Sequence, residues 1–265
     1  MKAVRQPAVA GQFYPNDAQE LRNSVDQFLA QANSTGPAPK ALIIPHAAHR
    51  YSGPVAASAY HLLKPKRDTI TRVVLLGPSH RVPMQGLATS SACSFASPLG
   101  EVMLDHSVIN QLFQFPQVRE RDVAHIEEHS IEVHLPFLQA ILGNFKLLPL
   151  VIGDATPTEV SEVLEDVWGG EETVIIISSD LSHYQSYEKS VLMDQATTEA
   201  IVNLNVGKIR HADACGCNPI NGLLKVAAKK QMTAKLIDQR NSGDTAGPLE
   251  QVVGYGAYGF IENPY

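Results

Sequence analysis

Thr173-Val174-Ile175-Ile176-Ile177-Ser178-Ser179-Asp180-Leu181-Ser182-His183 is the stretch that decides the fold. Its first half is a short apolar run rich in β-branched residues. Its second half is a polar turn that ends on a histidine. Such a run, bounded by turn residues, is predicted to be a buried strand. The pattern recurs twice. Ala41-Leu42-Ile43-Ile44-Pro45 leads into His46, and Val73-Val74-Leu75-Leu76-Gly77-Pro78-Ser79 leads into His80. In an open α/β sheet, ligands bind in the crevice beyond the carboxyl ends of the strands. Three strand ends that each deliver a histidine therefore predict one shared site. Imidazole nitrogens suit zinc, iron, copper and nickel, and strand ends hold their side chains rigidly.

Helices are predicted between these strands. Asn16-Asp17 caps one whose apolar face is Leu21, Val25, Phe28 and Leu29. A second starts near Gly53-Pro54 and stops before Pro65. Residues 86–104 read as irregular or hairpin structure, and 105–115 as a short helix. A helix capped by Ser130 covers 129–142, with Pro136 marking a kink or its true first turn. Strand 145–152, a helix from Thr156-Pro157 to about Trp168, and a long helix from about Tyr187 to Leu204 follow. Asn218 caps a helix through Lys230, and strands at 233–238 and 252–262 close the chain. The glycines in 252–262 predict close backbone packing. The order is β-α repeated with an all-β end. It defines an α/β class with a mostly parallel or mixed sheet covered by helices on both faces. No composition shift divides residues 1–265, so one domain is expected.

The chain has 265 residues, enough to bury a core without cross-links. Its net charge of −6 and lack of a Lys/Arg cluster argue against nucleic acid or an anionic membrane as partner. No apolar stretch has the length of a membrane span, and the first residues show no apolar leader core. Three cysteines, Cys93, Cys215 and Cys217, do not make a disulfide framework. A cytoplasmic location is the expectation.

Three further clusters carry chemistry. Cys215-Gly216-Cys217 precedes a helix, where the positive end of the dipole would lower a thiol pKa. It reads either as two small turn residues or as a metal ligand or redox-active thiolate, with Gly216 allowing close backbone approach. Cys93 lacks such a context and reads as structural. In Glu127-Glu128-His129-Ser130-Ile131-Glu132-Val133-His134, Glu128 and Glu132 share a helical face at i,i+4 spacing. The carboxylates then either sit solvated at a helix start, or His129 faces the pocket as a substrate-binding or proton-relay group. Asp180 stands three residues before His183, where it orients that imidazole or takes a metal position, leaving His183 as general acid/base. A Ser-His-Asp hydrolase is spelled by composition, but no G-x-S-x-G elbow is present. Gly254-x-Gly256-x-x-Gly259 has no following helix and is no dinucleotide fingerprint.

Taken together, several segments resemble the Memo family, whose bacterial and archaeal members are called AmmeMemoRadiSam system protein B. They are Pro7-Ala8-Val9-Ala10-Gly11-Gln12-Phe13-Tyr14-Pro15, Pro45-His46-Ala47 with Tyr51-Ser52-Gly53, Leu76-Gly77-Pro78-Ser79-His80, Glu128-His129-Ser130-Ile131-Glu132-Val133-His134-Leu135-Pro136-Phe137, Ser178-Ser179-Asp180-Leu181-Ser182-His183, and Cys215-Gly216 before Pro219. The resemblance spans nearly the whole chain, and its motifs are specific in combination. It implies a three-layer α/β/α sandwich like that of class III extradiol dioxygenases, with a metal pocket. The implied metal ligands are His46, His80 and Cys215. His129, Asp180 and His183 would line the same pocket, His183 matching an acid/base histidine of the dioxygenases. In those enzymes a carboxylate stands where Cys215 does. Non-haem iron oxygenases hold their metal with two His and one carboxylate, so the softer thiol makes catechol cleavage the wrong expectation.

The chain also departs from the family pattern after Pro45-His46-Ala47. Ala48 and His49 stand where a glycine and an aromatic residue are usual, placing an extra imidazole near the site or in solvent. The expected activity is metal-dependent redox or oxygen chemistry on a small substrate, with iron or copper ahead of zinc. The alternative is a non-catalytic metal- or peptide-binding scaffold using the same pocket, since animal relatives are associated with signalling adaptors. The family name also suggests a radical S-adenosylmethionine protein as partner.

Overall fold

All three apolar runs that end on a histidine are strands, and they lie side by side. The computed structural model describes residues 3–263, so the outermost two residues at each end of the expected 1–265 domain lie outside the described residues. In chain order the first elements are β1 (Val4–Arg5), α1 (Ala18–Gln31), β2 (Ala41–Ile44), α2 (His49–His61), β3 (Arg72–Pro78), β4 (Leu87–Thr89), β5 (Ser94–Ser97) and β6 (Gly100–Met103). Next come α3 (His106–Leu112), β7 (Val118–Glu120), α4 (Val123–Ile126), α5 (Leu135–Ile141), β8 (Lys146–Ile152) and α6 (Pro157–Asp166). The chain closes with β9 (Thr173–Ser178), β10 (His183–Gln185), α7 (Tyr187–Val202), α8 (Cys217–Lys229), β11 (Thr233–Asn241), α9 (Ser242–Thr245) and β12 (Val252–Ile261).

The main sheet is mixed. Its centre is four parallel strands in the order β2-β9-β3-β8. Antiparallel strands flank them: β12 on β2, β11 on β12, and β4 on β8. Every residue of β2 and β9 is buried, as expected of central strands covered on both faces. Fully buried side chains such as Leu42, Ile43, Leu75 and Ile176 each contribute about 1.5–3 kcal/mol. A smaller sheet, β1-β5-β6, includes the hairpin expected within 86–104.

Helices cover both faces, giving three α/β/α layers. Alternation along β11 displays them: Asp238 accepts a hydrogen bond from Ser58 of α2, while the adjacent Gln239 accepts one from Thr198 of α7. α1 and α5 pack on α2, and α8 packs on β3, β9 and α6. Gly254 of β12 admits α7, since a Cβ there would lie 1.9 Å from the Asp194 carboxylate. No helix among the described residues is long and apolar enough to cross a membrane.

Three local expectations are corrected. α2 starts at His49 rather than near Gly53-Pro54, so Pro54 lies inside it. Tertiary partners set the earlier start: the His49 N–H donates to Phe13 O at 2.8 Å, and Ser52 Oγ donates to Ala47 O at 2.8 Å. α8 has no side-chain cap from Asn218. That residue lies in the first turn and donates to Gly153 O at 3.0 Å. Residues 129–142 are not one helix. A turn and a 3-10 segment (Glu132–His134) precede α5, and Pro136 sits in the first turn of α5.

That break buries Glu128 and Glu132 instead of leaving them on a solvated helix face. Glu132 accepts the N–H groups of Ala8 (2.7 Å) and Val9 (3.0 Å), pairs with Arg5, and accepts the Tyr14 hydroxyl. This network ties the N-terminal segment across the turn. Removing one member of a buried ion pair leaves the other uncompensated, so Glu132→Ala should lower unfolding free energy by about 3–5 kcal/mol in denaturant titration. A loss below about 1 kcal/mol would show that the pair is not structurally important.

Candidate metal centre

The carboxyl ends of β2, β3 and β9 open on one sheet edge, and the loop before α8 closes over them. His46, His80 and Cys215 each offer one ligand atom, all within 4.8 Å of one another, so these residues could hold a metal ion. His46 Nε2 lies 3.4 Å from Cys215 Sγ.

The tautomer of His46 follows from its neighbours. Ser178 Oγ donates its single proton to Ser130 O at 2.6 Å. It can then only accept at its 2.6 Å contact with His46 Nδ1, which must carry the proton. Burial, reinforced by the nearby imidazoles of His80 and His129, keeps His46 neutral by lowering its pKa well below the usual value. Nε2 is thus a bare lone pair facing the thiol. Ser178 owes its place to the last position of a buried strand, where a polar side chain requires a partner.

His80 is held the same way by a carboxylate. Glu128 Oε2 accepts the His80 N–H at 2.6 Å, and Oε1 lies 2.9 Å from His80 Nδ1. Oε1 also accepts the N–H groups of His129 and Ser130, each at 2.9 Å. These bonds outweigh the penalty of burial and lower the Glu128 pKa to about 2. An ionised carboxylate only accepts, so His80 Nδ1 is the donor and Nε2 is left for a ligand. Orientation of an imidazole by a carboxylate is the usual support of a metal-binding histidine. Glu128 is the residue the sequence reading missed in this role.

Cys215 departs from its expectation. It precedes α8 as expected, but its thiol is not made more acidic there: burial together with the Asp180 carboxylate pushes it up to about 12. Desolvation exceeds any help from the dipole. The Asp180 N–H donates to Cys215 Sγ at 3.3 Å. A bound cation would supply the missing charge, since a coordinated thiol is deprotonated outright.

The remaining predicted residues surround this cluster. His129 stacks on His80 with ring centroids 4.7 Å apart and meets His46 edge-on at 5.4 Å. Burial lowers its pKa to about 4, leaving it neutral. The Asp180 carboxylate accepts the N–H groups of His46 (2.8 Å) and Ala47 (3.3 Å), so it fixes the turn after β2. Among the described residues it makes no hydrogen bond to the His183 ring. Burial raises the Asp180 pKa. His183 lies on the wall of a cavity of about 1110 Å³ that also reaches His80 and Cys215. His49 is neither at the site nor in solvent. It is buried, donates from Nε2 to Val133 O at 2.8 Å, and packs on Tyr14 and Phe137. The turn that directs His46 to the sheet edge leaves His49 as the first residue of α2, pointing into the layer beneath.

These features describe a three-layer α/β/α protein with two imidazoles and a thiol converging at its parallel strand ends. A match to the Memo-like protein family covers residues 5–258, and the chain belongs to that family. It is 33% identical over 277 residues to a MEMO1 family protein of Sulfolobus acidocaldarius, covering 95% of this chain and 97% of that one. It is 35% identical over 281 residues to one of Methanopyrus kandleri, covering 97% and 98%. A crystal structure of an uncharacterized Escherichia coli K12 protein, JW3007, matches with a TM-score of 0.46 at 12% identity, covering 81% of this chain and 98% of that one. A likeness that slight has no bearing on function.

Gly216 lets the Cys215 loop approach β9. A Cβ there would lie 2.6 Å from Ser179 Cβ and 2.7 Å from Ser178 O. Gly216→Ala is expected to lower stability by about 1–3 kcal/mol in thermal or denaturant unfolding. An unchanged midpoint would mean that the loop yields freely.

Proposed function

We propose that this protein is a metal-dependent oxidoreductase in which His46 Nε2, His80 Nε2 and Cys215 Sγ hold iron or copper. The convergence of two imidazole lone pairs, each fixed by a proton on Nδ1, with a buried thiol carries the reading. The donor set fits a metal: a cation resolves the electrostatic misfit of the buried Cys215 thiol, and Ser178 and Glu128 already provide the outer support. Two imidazoles and a thiolate suit copper or a redox-active iron better than a hard cation. Such an ion supplies electron transfer or oxygen activation.

The residues of the chain supply the rest. The 1110 Å³ cavity admits a small organic molecule beside Cys215 and His80. His183, on its wall, serves as the acid/base group that passes a proton between that molecule and solvent. His129 stays neutral and stacked on His80, where it limits ring motion and excludes water. Asp180 positions the backbone of His46. Residues 1–265 act as one domain in this reading.

The test is metal content after anaerobic purification and loading with Fe(II) or copper. Wild type should hold about one ion per chain, and Cys215→Ala or His80→Ala should lose it. Wild type that retains no metal, or variants that retain it fully, would sink the proposal. Glu128→Gln, which keeps an acceptor but removes the charge behind His80, should weaken metal binding about 10- to 100-fold in a chelator competition. Unaltered affinity would show that the carboxylate does not act through His80.

A further inference from the structure

We propose that Tyr184 is the wall on which a planar aromatic ligand stacks at the mouth of the cavity. The proposal rests on the reading of that cavity as the substrate site, and adds the class of molecule it takes.

The backbone singles out Tyr184. Three non-glycine residues have positive φ among the described residues: Tyr184 (55°), Leu204 (53°) and Gln231 (53°). Leu204 and Gln231 directly follow the C-caps of α7 and α8, where a left-handed residue closes a helix. Tyr184 follows no helix. It lies where the register of β10 against β12 shifts between His183 and Gln185. At the left-handed position of such a bulge, glycine is the unstrained occupant. A bulky aromatic residue there is a genuine outlier.

Nothing in the fold recovers that strain. Tyr184 is 71% exposed. Its ring meets the His183 ring at a centroid distance of 5.9 Å and an interplanar angle of 65°. Its hydroxyl makes no hydrogen bond among the described residues. Bulges next to active sites re-aim side chains, and strain at such positions accompanies function. Here the bulge presents Tyr184 to the cavity beside His183.

The surroundings define what would cover the ring. Val82, Met84, Met193 and Pro219 line the same cavity. Thioethers make favourable contacts with aromatic rings, and tyrosine gains most from an offset-stacked or edge-on aromatic partner. Polar groups such as Asp154 and His211 line the cavity as well, but beside Tyr184 and the two thioethers a planar aromatic body gains contacts that a sugar or a saturated polar chain does not. Lys189 lines the cavity too, so an aromatic carboxylate is the suitable probe.

Cinnamate and its saturated counterpart, 3-cyclohexylpropanoate, can be compared by ligand-observed NMR with wild type, Tyr184→Phe, Tyr184→Gly and Cys215→Ala. Cinnamate should bind wild type and Tyr184→Phe alike, and about 3- to 10-fold more tightly than the saturated acid. Tyr184→Gly should lose that preference while unfolding at a higher temperature than wild type, because glycine relieves the bulge. A purely structural role for the ring predicts the opposite shift in unfolding temperature. Absence of cinnamate binding, full affinity in Tyr184→Gly, or a less stable Tyr184→Gly would overturn the proposal. Binding abolished in Cys215→Ala with Tyr184 intact would assign the affinity to the metal site and also overturn it. Wild type that holds no metal yet binds cinnamate through Tyr184 would sink the metal reading and leave the stacking wall standing.

Discussion

Ile44 pairs with Ser178, and Leu76 with Ile177, in parallel ladders. That register is the constraint from which the site follows. Parallel strands finish at a common edge, so the second residue past β2 and past β3 reaches the same crevice without a long loop. His46 and His80 arrive there from rigid elements, and Ser178, the last residue of β9, arrives with them. A slip of one residue would turn Ser178 away from His46 and break the chain of bonds that fixes the imidazole proton. Core packing and site geometry are therefore one property of this sheet.

Buried charge is handled by a second rule. Glu128, Glu132 and Asp180 are all buried, and each accepts backbone N–H groups. An unpaired carboxylate in such surroundings would neutralise itself. Here each carboxylate also fixes a segment of chain: Glu132 the N-terminal residues, Glu128 the turn of His80, and Asp180 the turn of His46. Cys215 is the group left without a compensating charge. The cluster is rigid in its frame and electrostatically incomplete at its centre, which is the condition that favours a cation.

The strand ends were legible because a fully buried parallel strand is a continuous apolar run rich in β-branched residues, and three such runs end in a turn and a histidine. The start of α6 was equally plain from Thr156-Pro157, and Thr156 caps it in the structure. Residues 129–142 resemble one helix in sequence because the helical spacing of Glu128 and Glu132 is satisfied as well by a turn that buries both. Glu128 could not be identified as the partner of His80, because backbone N–H groups carry no residue label. The raised pKa of Cys215 was hidden for a related reason. It depends on burial and on Asp180, and only the fold supplies either. Resemblance to a family supplied Cys215 as a candidate ligand; spacing alone left it a choice between turn and site.

The pairing of β12 with β2 sets the pace at which this molecule can form. Tyr258 lies against Ile43, so the strand that delivers His46 gains its second neighbour, after β9, only when β12 arrives. Contacts between such distant segments fold slowly, because the entropy of closing the loop is lost before the contact rewards it. Until then β2 presents an unpaired edge of Ala41, Leu42 and Ile43, the kind of apolar edge that recruits foreign strands. During synthesis, the strand bearing the first histidine is the one left waiting longest, and its exposed edge is where a nascent chain of this protein would be most in need of a chaperone.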